Sequence, residues 1–475
     1  MKKLLLSISV ILGGILLGCD DYLDIRPKGY TIPEYYDDYQ TLMYGLPLHT
    51  TSNSVINYMT DHTALLDKDG DSDLNMVSKW EYIRNLYQFK PGAIYLPGNS
   101  DAFWEKRYEN IFTYNVVINN VMDAPDATDS QKSRLRAEAL IGRAMEYLFL
   151  VNGYAVHYQA ATAKSDLGVP LILSEDINNS YRRNSVQEVY DQIEKDIIEA
   201  LPSLAEKALH VYQATQAVGQ SLLARTYLYM GKYKEALIYA ENVLKVHNTL
   251  LDFKAFNSRE GGWDHIYDAN GELFPVDGNN PEDFFFRLDI SDLSAELCAS
   301  EDLIDCYHRN LEADMTDQRL ALFYFKDRAN PWREMLFPGK YMWAAYHTQN
   351  VGFSTPEILL IAAECEARIG SKEKAMEYIG HLRDYRIINN RKLTASDKEE
   401  ALKIILDERR REMPFTGMTR YIDLKRLNLE EKFRKTVIHT DDCKTFNLPP
   451  NDPRYVLPIP PKVLEQNPDI PQYER

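Results

Sequence analysis

Apolar residues recur at helical spacing through much of the chain, so the pattern predicts a mostly α-helical fold. Over 130–154, small and apolar residues return every three or four positions, after a cap at position 128 or 129. A second helix is predicted over 185–201, where Ser185 and Glu188 form a capping-box pattern. Both segments are long enough to be buried structural helices.

Two further stretches share one helix–turn–helix spacing. Each has a small residue, a turn glycine and another small residue at equal offsets, namely Ala224, Gly231 and Ala236, and Ala363, Gly370 and Ala375. Small residues let antiparallel helices approach, and glycine makes the turn. The spacing predicts tetratricopeptide-like helical pairs at about 130–250 and 355–430. Because the two glycines are far apart, a large segment is inserted between the pairs.

Helical periodicity is lost over about 48–99 and 252–352, which are rich in aromatic residues. Irregular segments on a rigid scaffold often carry binding function. Sugar rings stack their apolar faces on aromatic side chains, while nearby polar groups bond the hydroxyls. The predicted ligand contacts are Trp80, Tyr82, Trp263 and Trp343. Each could instead pack in a core, because aromatic side chains bury large apolar areas.

The N-terminus is typical of an export signal. Lys2 and Lys3 precede an apolar run over 4–17 that is too short to span a bilayer stably. A leucine and a glycine then precede Cys19, which resembles the lipobox of bacterial lipoproteins, whose cysteine is diacylated. Two acyl chains give stable anchoring, since each buried methylene contributes about 0.8 kcal/mol. We expect a signal peptide over 1–18 and a lipidated tether over 19–33; the alternative is an ordinary signal with a chance cysteine.

The charge and the length of the chain limit the classes of function that the protein can have. The 475-residue chain has a net charge of −17, and removal of Lys2 and Lys3 with the signal makes it −19. This balance argues against nucleic acid as the main partner. No later segment has the roughly 18 uninterrupted apolar residues of a membrane span. We expect 34–475 to form a single body, with Cys298 and Cys306 as buried thiols.

Neither a metal site nor a catalytic motif is predicted. Alternating carboxylates over Asp67–Asp73 could bind calcium, but an EF-hand loop starting at Asp67 would need glycine at Ser72 and glutamate at Ser78. We therefore favour a solvated acidic loop. The Gly-x-Ser-x-Gly, His-Glu-x-x-His, phosphate-loop and dinucleotide-turn motifs are absent. The sequence thus predicts a binding protein with no cofactor rather than an enzyme.

Four stretches carry a family resemblance: AEALIGRAMEY at 137–147, AAECEAR at 362–368, ERRRE with FTG and RYIDLKR at 408–426, and PIP with NP at 458–468. Together they resemble the SusD/RagB family of outer-membrane nutrient-binding lipoproteins of Bacteroidetes, over nearly the whole mature chain. Asp20 and Asp21 are similar to the acidic signal for the cell surface. Two residues separate Gly417 from Arg420 where the family pattern often has one, which indicates a divergent subgroup.

The resemblance implies a SusD-like fold and a lipid-anchored outer-membrane protein exposed on the cell surface. Such a protein binds a nutrient, here expected to be an oligosaccharide with a peptide as the alternative, and delivers it to a SusC-like TonB-dependent transporter. The motif residues Glu408, Arg409, Arg420 and Asp423 are expected to pair and fold the scaffold. Two other classes stay open: a tetratricopeptide scaffold for envelope assembly, and a surface glycoside hydrolase with a carboxylate pair in a cleft.

Overall fold

The structure is a computed structural model that describes most of the chain. The described residues are 33–51, 54–65, 81–96, 98, 101–176, 182–258, 266–276, 278–289, 297–326, 329–330, 335–336, 339–343, 350–441 and 443–475. Cys19 and the acidic run over 67–73 lie outside these ranges.

Helices dominate, as the periodicity predicts. Within the described ranges there are fifteen, numbered in chain order: α1 Tyr36–Tyr44, α2 Leu46–His49, α3 Glu81–Tyr87, α4 Ala102–Asn120, α5 Asp129–Tyr154, α6 Val186–Ala200, α7 Gln216–Tyr229, α8 Tyr233–Leu244, α9 Glu301–His308, α10 Gln318–Phe323, α11 Thr355–Ile369, α12 Lys372–Asp384, α13 Lys398–Glu412, α14 Thr419–Leu427 and α15 Pro461–Gln466.

The predicted long helix is confirmed as α5. The Thr128 hydroxyl accepts a hydrogen bond from the Gln131 N–H, and the Gln131 side chain accepts one from the Thr128 N–H, which makes a capping box. Helix α5 packs between α4 and α6. Gly142 lies against Tyr114, where a Cβ would come within 2.2 Å of the ring. Glycine therefore permits the close approach of α4 and α5.

Both predicted helical pairs are confirmed, as α7 with α8 and α11 with α12. Gly231 has a φ of +72°, which favours glycine. Gly370 has a φ of −105°, and a Cβ there would lie 1.7 Å from the Glu366 Oε2 atom, so a larger residue would displace that carboxylate. Helix α8 packs against α11, so the pairs are neighbours in one helical layer despite the long insertion.

Short strands occur in both irregular segments and also in the C-terminal part of the chain. Among the described residues they are β1 Thr50–Thr51, β2 Thr63–Leu65, β3 Phe256–Ser258, β4 Ile266–Asp268, β5 Asp283–Phe285, β6 Leu288–Asp289, β7 Leu297–Ala299, β8 Thr316–Asp317, β9 Tyr324–Lys326, β10 Ala329–Asn330, β11 Met335–Leu336, β12 Tyr341–Trp343, β13 Phe353–Ser354, β14 Ile387–Ile388, β15 Val437–Asp441 and β16 Lys444–Leu448. The largest sheet has the order β2-β7-β12-β9.

The charged motif over 408–426 lies inside the scaffold. The predicted pairing is confirmed between Arg409 and Asp423, whose Nε and Oδ2 atoms are 2.8 Å apart. Arg420 instead forms a two-pronged ion pair with Asp61, at 2.7 Å for each contact. The motif thus joins α13 and α14 to each other and to the turn before β2. Cys298 and Cys306, on β7 and α9, are buried free thiols, as predicted.

Lys425 is a buried lysine at the end of α5. Its Nζ atom donates to the carbonyl oxygens of Asn152 (2.5 Å) and Ala155 (2.7 Å). A positive group is favourable at a helix C-terminus. Burial nevertheless lowers the pKa of Lys425 to about 7, because removing an ammonium group from water favours the neutral amine.

Stability is therefore expected to rise with pH between about 7 and 10.4, by up to about 1.4 kcal/mol per pH unit. In this window the unfolded chain binds a proton at Lys425 that the folded chain does not, so burial of this side chain destabilises the fold more and more as the pH falls towards 7. Urea unfolding of the wild type and of Lys425→Met at pH 7, 8 and 9 measures it. The free energy of unfolding of the wild type minus that of Lys425→Met should rise with pH. A difference that stays constant from pH 7 to 9 would contradict the assignment.

Candidate ligand-binding groove

The two irregular segments meet in one β-sheet. Strand β2 comes from the first segment and pairs antiparallel with β7 from the second, with Leu65 opposite Leu297. Strand β12 pairs with β7 on its other side and also with β9. The sheet therefore brings together two regions that are separated by more than two hundred residues in the sequence.

A surface groove of about 430 Å³ lies along this sheet, bordered by β2, β7, β12, α9 and β15. We call it the sheet groove. Its volume falls within the range of about 300–1,000 Å³ that is usual for small-molecule sites. The accessible side chains that line it include those of Tyr341, Lys340, Glu301, Asp305 and Ile438. Aromatic, aliphatic and charged groups are thus presented together.

The sheet groove offers both kinds of contact that a saccharide uses. Tyr341 is half-buried and its ring centroid lies 5.2 Å from the Lys326 Nζ atom. Glu301 and Asp305 are exposed and lie four residues apart on α9, which places them on one helix face. In the described part of the chain, no hydrogen bond or ion pair occupies the side chains of Glu301, Asp305 or Lys340. These groups are available to ligand hydroxyls.

Helix α9 is held firmly in place beside the groove. The Ser300 hydroxyl caps the helix by accepting from the Leu303 N–H, and it donates to the Asp61 carbonyl at 2.6 Å. The Asp302 carboxylate accepts hydrogen bonds from Arg410 and Lys435, each at 2.5 Å. The charged motif therefore positions the helix that carries Glu301 and Asp305.

Asp61 is the anionic centre of the same network. Burial opposes its ionisation, but Arg420, Arg410 and Lys435 together hold the pKa of this carboxyl well below its usual range. Opposite charges at short distance favour the ionised form. Asp61 thus stays negative at working pH and acts as a structural anchor.

His439 lines the inner wall of the groove as a packing residue. Its ring stacks on Tyr87 at 4.1 Å and on Phe89 at 4.6 Å between centroids. Its two nitrogens lie 2.8 and 2.9 Å from the carbonyl oxygens of Tyr87 and Thr60. Burial lowers the pKa of His439. The neutral ring donates to one of these carbonyls, and its buried, stacked faces make it part of the groove wall.

The predicted aromatic contacts do not come together in one site in the part of the chain that the structure describes. Trp80 and Trp263 lie outside the described residues. Tyr82 is half-buried on α3, with its ring 6.0 Å from that of Tyr95, beside a narrow apolar cavity. Trp343 is 7% exposed and packs in an aromatic cluster with Phe323, Tyr324 and Phe415. Tyr82 and Trp343 line different cavities, and neither lines the sheet groove.

The cavity beside Trp343 has a volume of only about 100 Å³, enough for a few water molecules. Its walls carry charges that pair internally: Arg319 donates to Glu412 at 2.7 Å. On another wall, burial raises the pKa of Asp283 to about 7. The size and the internal pairing make this cavity a poorer oligosaccharide site than the sheet groove.

The residues that line the sheet groove could not be identified as ligand contacts from the sequence. Tyr341 and Trp343 stand two apart on one strand and so project to the same side of the sheet, a signal too short to distinguish from chance. Glu301 and Asp305 lie on an eight-residue helix inside a segment without helical periodicity. Only the pairing of β2 with β7 places these residues in one groove.

Within the described residues, no group of three or more His, Cys, Asp or Glu side chains is placed to hold a metal ion. No helix in these ranges combines the length and apolarity needed to cross a bilayer.

The chain is similar to known proteins in sequence and in fold. Residues 21–228 match the family model SusD-like, described as starch-binding and associating with the outer membrane, and residues 346–474 match the model of the SusD family. Together the two matches cover more than half of the chain. Among curated proteins, no sequence match was found.

Similar solved structures come from Bacteroides. A SusD superfamily protein from Bacteroides thetaiotaomicron is 21% identical, with 93% of this chain and 100% of that chain covered and a TM-score of 0.67. One from Bacteroides fragilis is 19% identical, with 93% and 100% covered and a TM-score of 0.66. A SusD-like carbohydrate binding protein from Bacteroides vulgatus is 18% identical, with 90% and 94% covered and a TM-score of 0.63. At these identities the likeness establishes the fold.

Proposed function

We propose, from the premise that this chain belongs to the SusD/RagB family, that it is a surface lipoprotein that binds an oligosaccharide and delivers it to a SusC-like TonB-dependent transporter of the outer membrane. The sheet groove is the observation that carries the binding part of this proposal. It has the volume of a ligand site and presents an aromatic ring beside hydrogen-bonding groups.

The recognition chemistry follows from the side chains that line the groove. The Tyr341 ring offers a face or edge for the apolar C–H surface of a sugar. The carboxylates of Glu301 and Asp305 accept from hydroxyls, and the Lys340 ammonium donates to them. Hydrogen bonds to charged groups are stronger than neutral ones. A neutral oligosaccharide held in this way should bind with little dependence on salt, since the ligand has no net charge to screen.

The four aromatic residues selected from the sequence stay in the proposal as further ligand contacts. These are Trp80, Tyr82, Trp263 and Trp343. For Trp343, loss of the ring should also destabilise the surrounding aromatic cluster, because truncating a buried tryptophan costs about 3–5 kcal/mol. Binding assays on a Trp343 variant therefore need a parallel measurement of stability.

The proposal also includes a lipid anchor at Cys19 and a SusC-like transporter as the partner. Diacylation of Cys19 would hold the protein in the outer membrane by two acyl chains. The SusC-like transporter is implied by family membership, and the nutrient passes to it unchanged. The description of the family model that matches 21–228 as associating with the outer membrane supports this location.

A surface glycoside hydrolase is the second candidate, because Glu301 and Asp305 form a carboxylate pair in the groove. Glycosidases desolvate one carboxyl so that it stays protonated as the general acid. Here both carboxylates are exposed, which favours binding over cleavage.

Product analysis separates the two functions. We expect oligosaccharides incubated with the protein for a day to be recovered intact by chromatography, because the described residues that line the sheet groove include no desolvated carboxyl pair to act as acid and base. Glu301→Gln serves as the test variant, and Glu377→Gln, an exposed acid on α12, is the matched control. Cleavage by the wild type and by Glu377→Gln that disappears in Glu301→Gln would establish the hydrolase instead.

A further inference from the structure

A second, larger groove of about 780 Å³ lies where the first helical pair meets the inserted segment. It is bordered by residues 206–217, the start of α7, the end of α8 and β5. We call it the helix groove. No described residue lines both this groove and the sheet groove. Its volume lies in the usual range for ligand sites.

Exposed apolar side chains are concentrated at the helix groove. Leu209 is 83% exposed and Val246 is 69% exposed, which makes them two of the three most exposed large apolar residues in the described ranges. Both line this groove. Exposed apolar side chains gathered at one concave site indicate a binding surface, whereas scattered ones do not.

An aromatic pair forms part of the same wall. The rings of His247 and Phe284 are stacked with centroids 4.4 Å apart and planes inclined by 20°. Phe284 is buried, while His247 is half-buried. Burial lowers the pKa of His247, so the ring is neutral at physiological pH. The pair therefore offers an uncharged, flat surface that suits the C–H face of a sugar ring.

Two amides supply polar contacts beside this pair. The Gln220 Oε1 atom is buried and has no hydrogen-bond partner among the described residues. A buried acceptor without a donor is unfavourable, and because Gln220 lines the groove, a rotation of its amide would bring this oxygen to a ligand hydroxyl. The Asn242 side-chain oxygen accepts from Lys245 at 2.8 Å, which leaves its NH₂ group to donate.

We propose that the helix groove is a second saccharide-binding site, in which a sugar ring packs on the His247 and Phe284 pair. One hydroxyl donates to Gln220 Oε1 and another accepts from the Asn242 NH₂ group. The inference rests on the proposed function for the class of ligand and goes beyond it in the number of sites. Two sites on one chain allow one long glycan to bind at both, or two shorter ones to bind independently.

Calorimetry on the full chain, purified in a detergent without a sugar headgroup, tests this inference. Maltoheptaose, cellohexaose, xylohexaose, mannohexaose and laminarihexaose are titrated into the wild type, and the tightest binder is used for the variants. We expect two classes of site. His247→Ala and Gln220→Leu should each weaken one class roughly tenfold, as expected for a lost stacking or hydrogen-bonding contact, and should leave the other unchanged.

Three further variants keep the result decisive. Leu209→Asp alters the rim at an exposed position, so it disturbs the groove without risk to folding. His381→Ala removes an exposed histidine on α12, outside both grooves, and should bind as the wild type does. Tyr341→Ala should weaken only the other class, at the sheet groove. Melting curves of all variants verify that they are folded.

The outcomes separate the two proposals. Loss of one class in His247→Ala, Gln220→Leu and Leu209→Asp, with the sheet-groove class retained, supports the second site. A single class that these three variants leave unchanged and Tyr341→Ala weakens overturns the second site and leaves the proposed function standing. Binding of none of the five glycans by the folded wild type overturns both.

Discussion

Replacing Glu408 by glutamine is expected to lower the free energy of unfolding by about 3–5 kcal/mol, because it leaves buried arginines without their anion. The Glu408 carboxylate lies 2.6 Å from Arg411, 2.7 Å from Arg319 and 3.1 Å from Arg383. Burial opposes its ionisation, but these arginines hold the pKa of Glu408 well below its usual range. The side chain is fully buried, so solvent screens the network little.

Urea unfolding with a matched control on the same helix measures this effect. Glu399 also lies on α13 and pairs with Lys403 and Lys432, but its side chain is 39% exposed. Exposed ion pairs contribute at most about 1 kcal/mol. Glu399→Gln should therefore unfold nearly as the wild type does. A loss of less than about 1 kcal/mol in Glu408→Gln as well would contradict the structural role of the motif.

Replacing Cys19 by alanine is expected to move the protein from the membrane fraction to the soluble fraction. The reason is that the two acyl chains on this cysteine are the only anchor that the sequence predicts. Cell fractionation followed by washes in high salt and carbonate measures the distribution. The wild type should stay in the pellet through both washes.

A second cysteine supplies the control for anchoring. Cys443 is an exposed free thiol in the turn between β15 and β16, far along the chain from the signal. Cys443→Ala should remain in the membrane fraction. Retention of Cys19→Ala in the carbonate-washed pellet would show that the lipoprotein assignment is wrong.

The helical scaffold could be predicted because its signals are local. Caps, apolar periodicity and turn glycines all lie within a few residues of the helices that they define, as at Thr128 for α5 and Gly231 for the first pair. The ion pair between Arg409 and Asp423 is also local, at 14 residues of separation. Such features need no knowledge of distant contacts.

The candidate groove could not be predicted for the opposite reason. Its strands are three to five residues long, too short for alternation to be distinguished from chance. The contacts that assemble it are distant in sequence: Arg420 pairs with Asp61, 359 residues away. The sequence favours Trp343, which the structure places in an aromatic cluster, and gives no sign that Tyr341, two positions before it, lines the sheet groove. Exposure and not residue type distinguishes the two.

Calorimetry of Tyr341 variants tests the central claim, saccharide binding at the sheet groove, most directly. The tightest of the five oligosaccharides is titrated into the wild type, Tyr341→Ala and Tyr341→Phe, with melting curves to verify folding. The account predicts that Tyr341→Phe, which keeps the ring, binds nearly as the wild type does, whereas Tyr341→Ala loses about 0.5–1.5 kcal/mol beyond its lost contact area at that site. Equal affinities of the wild type and Tyr341→Ala at every class of site would contradict the account.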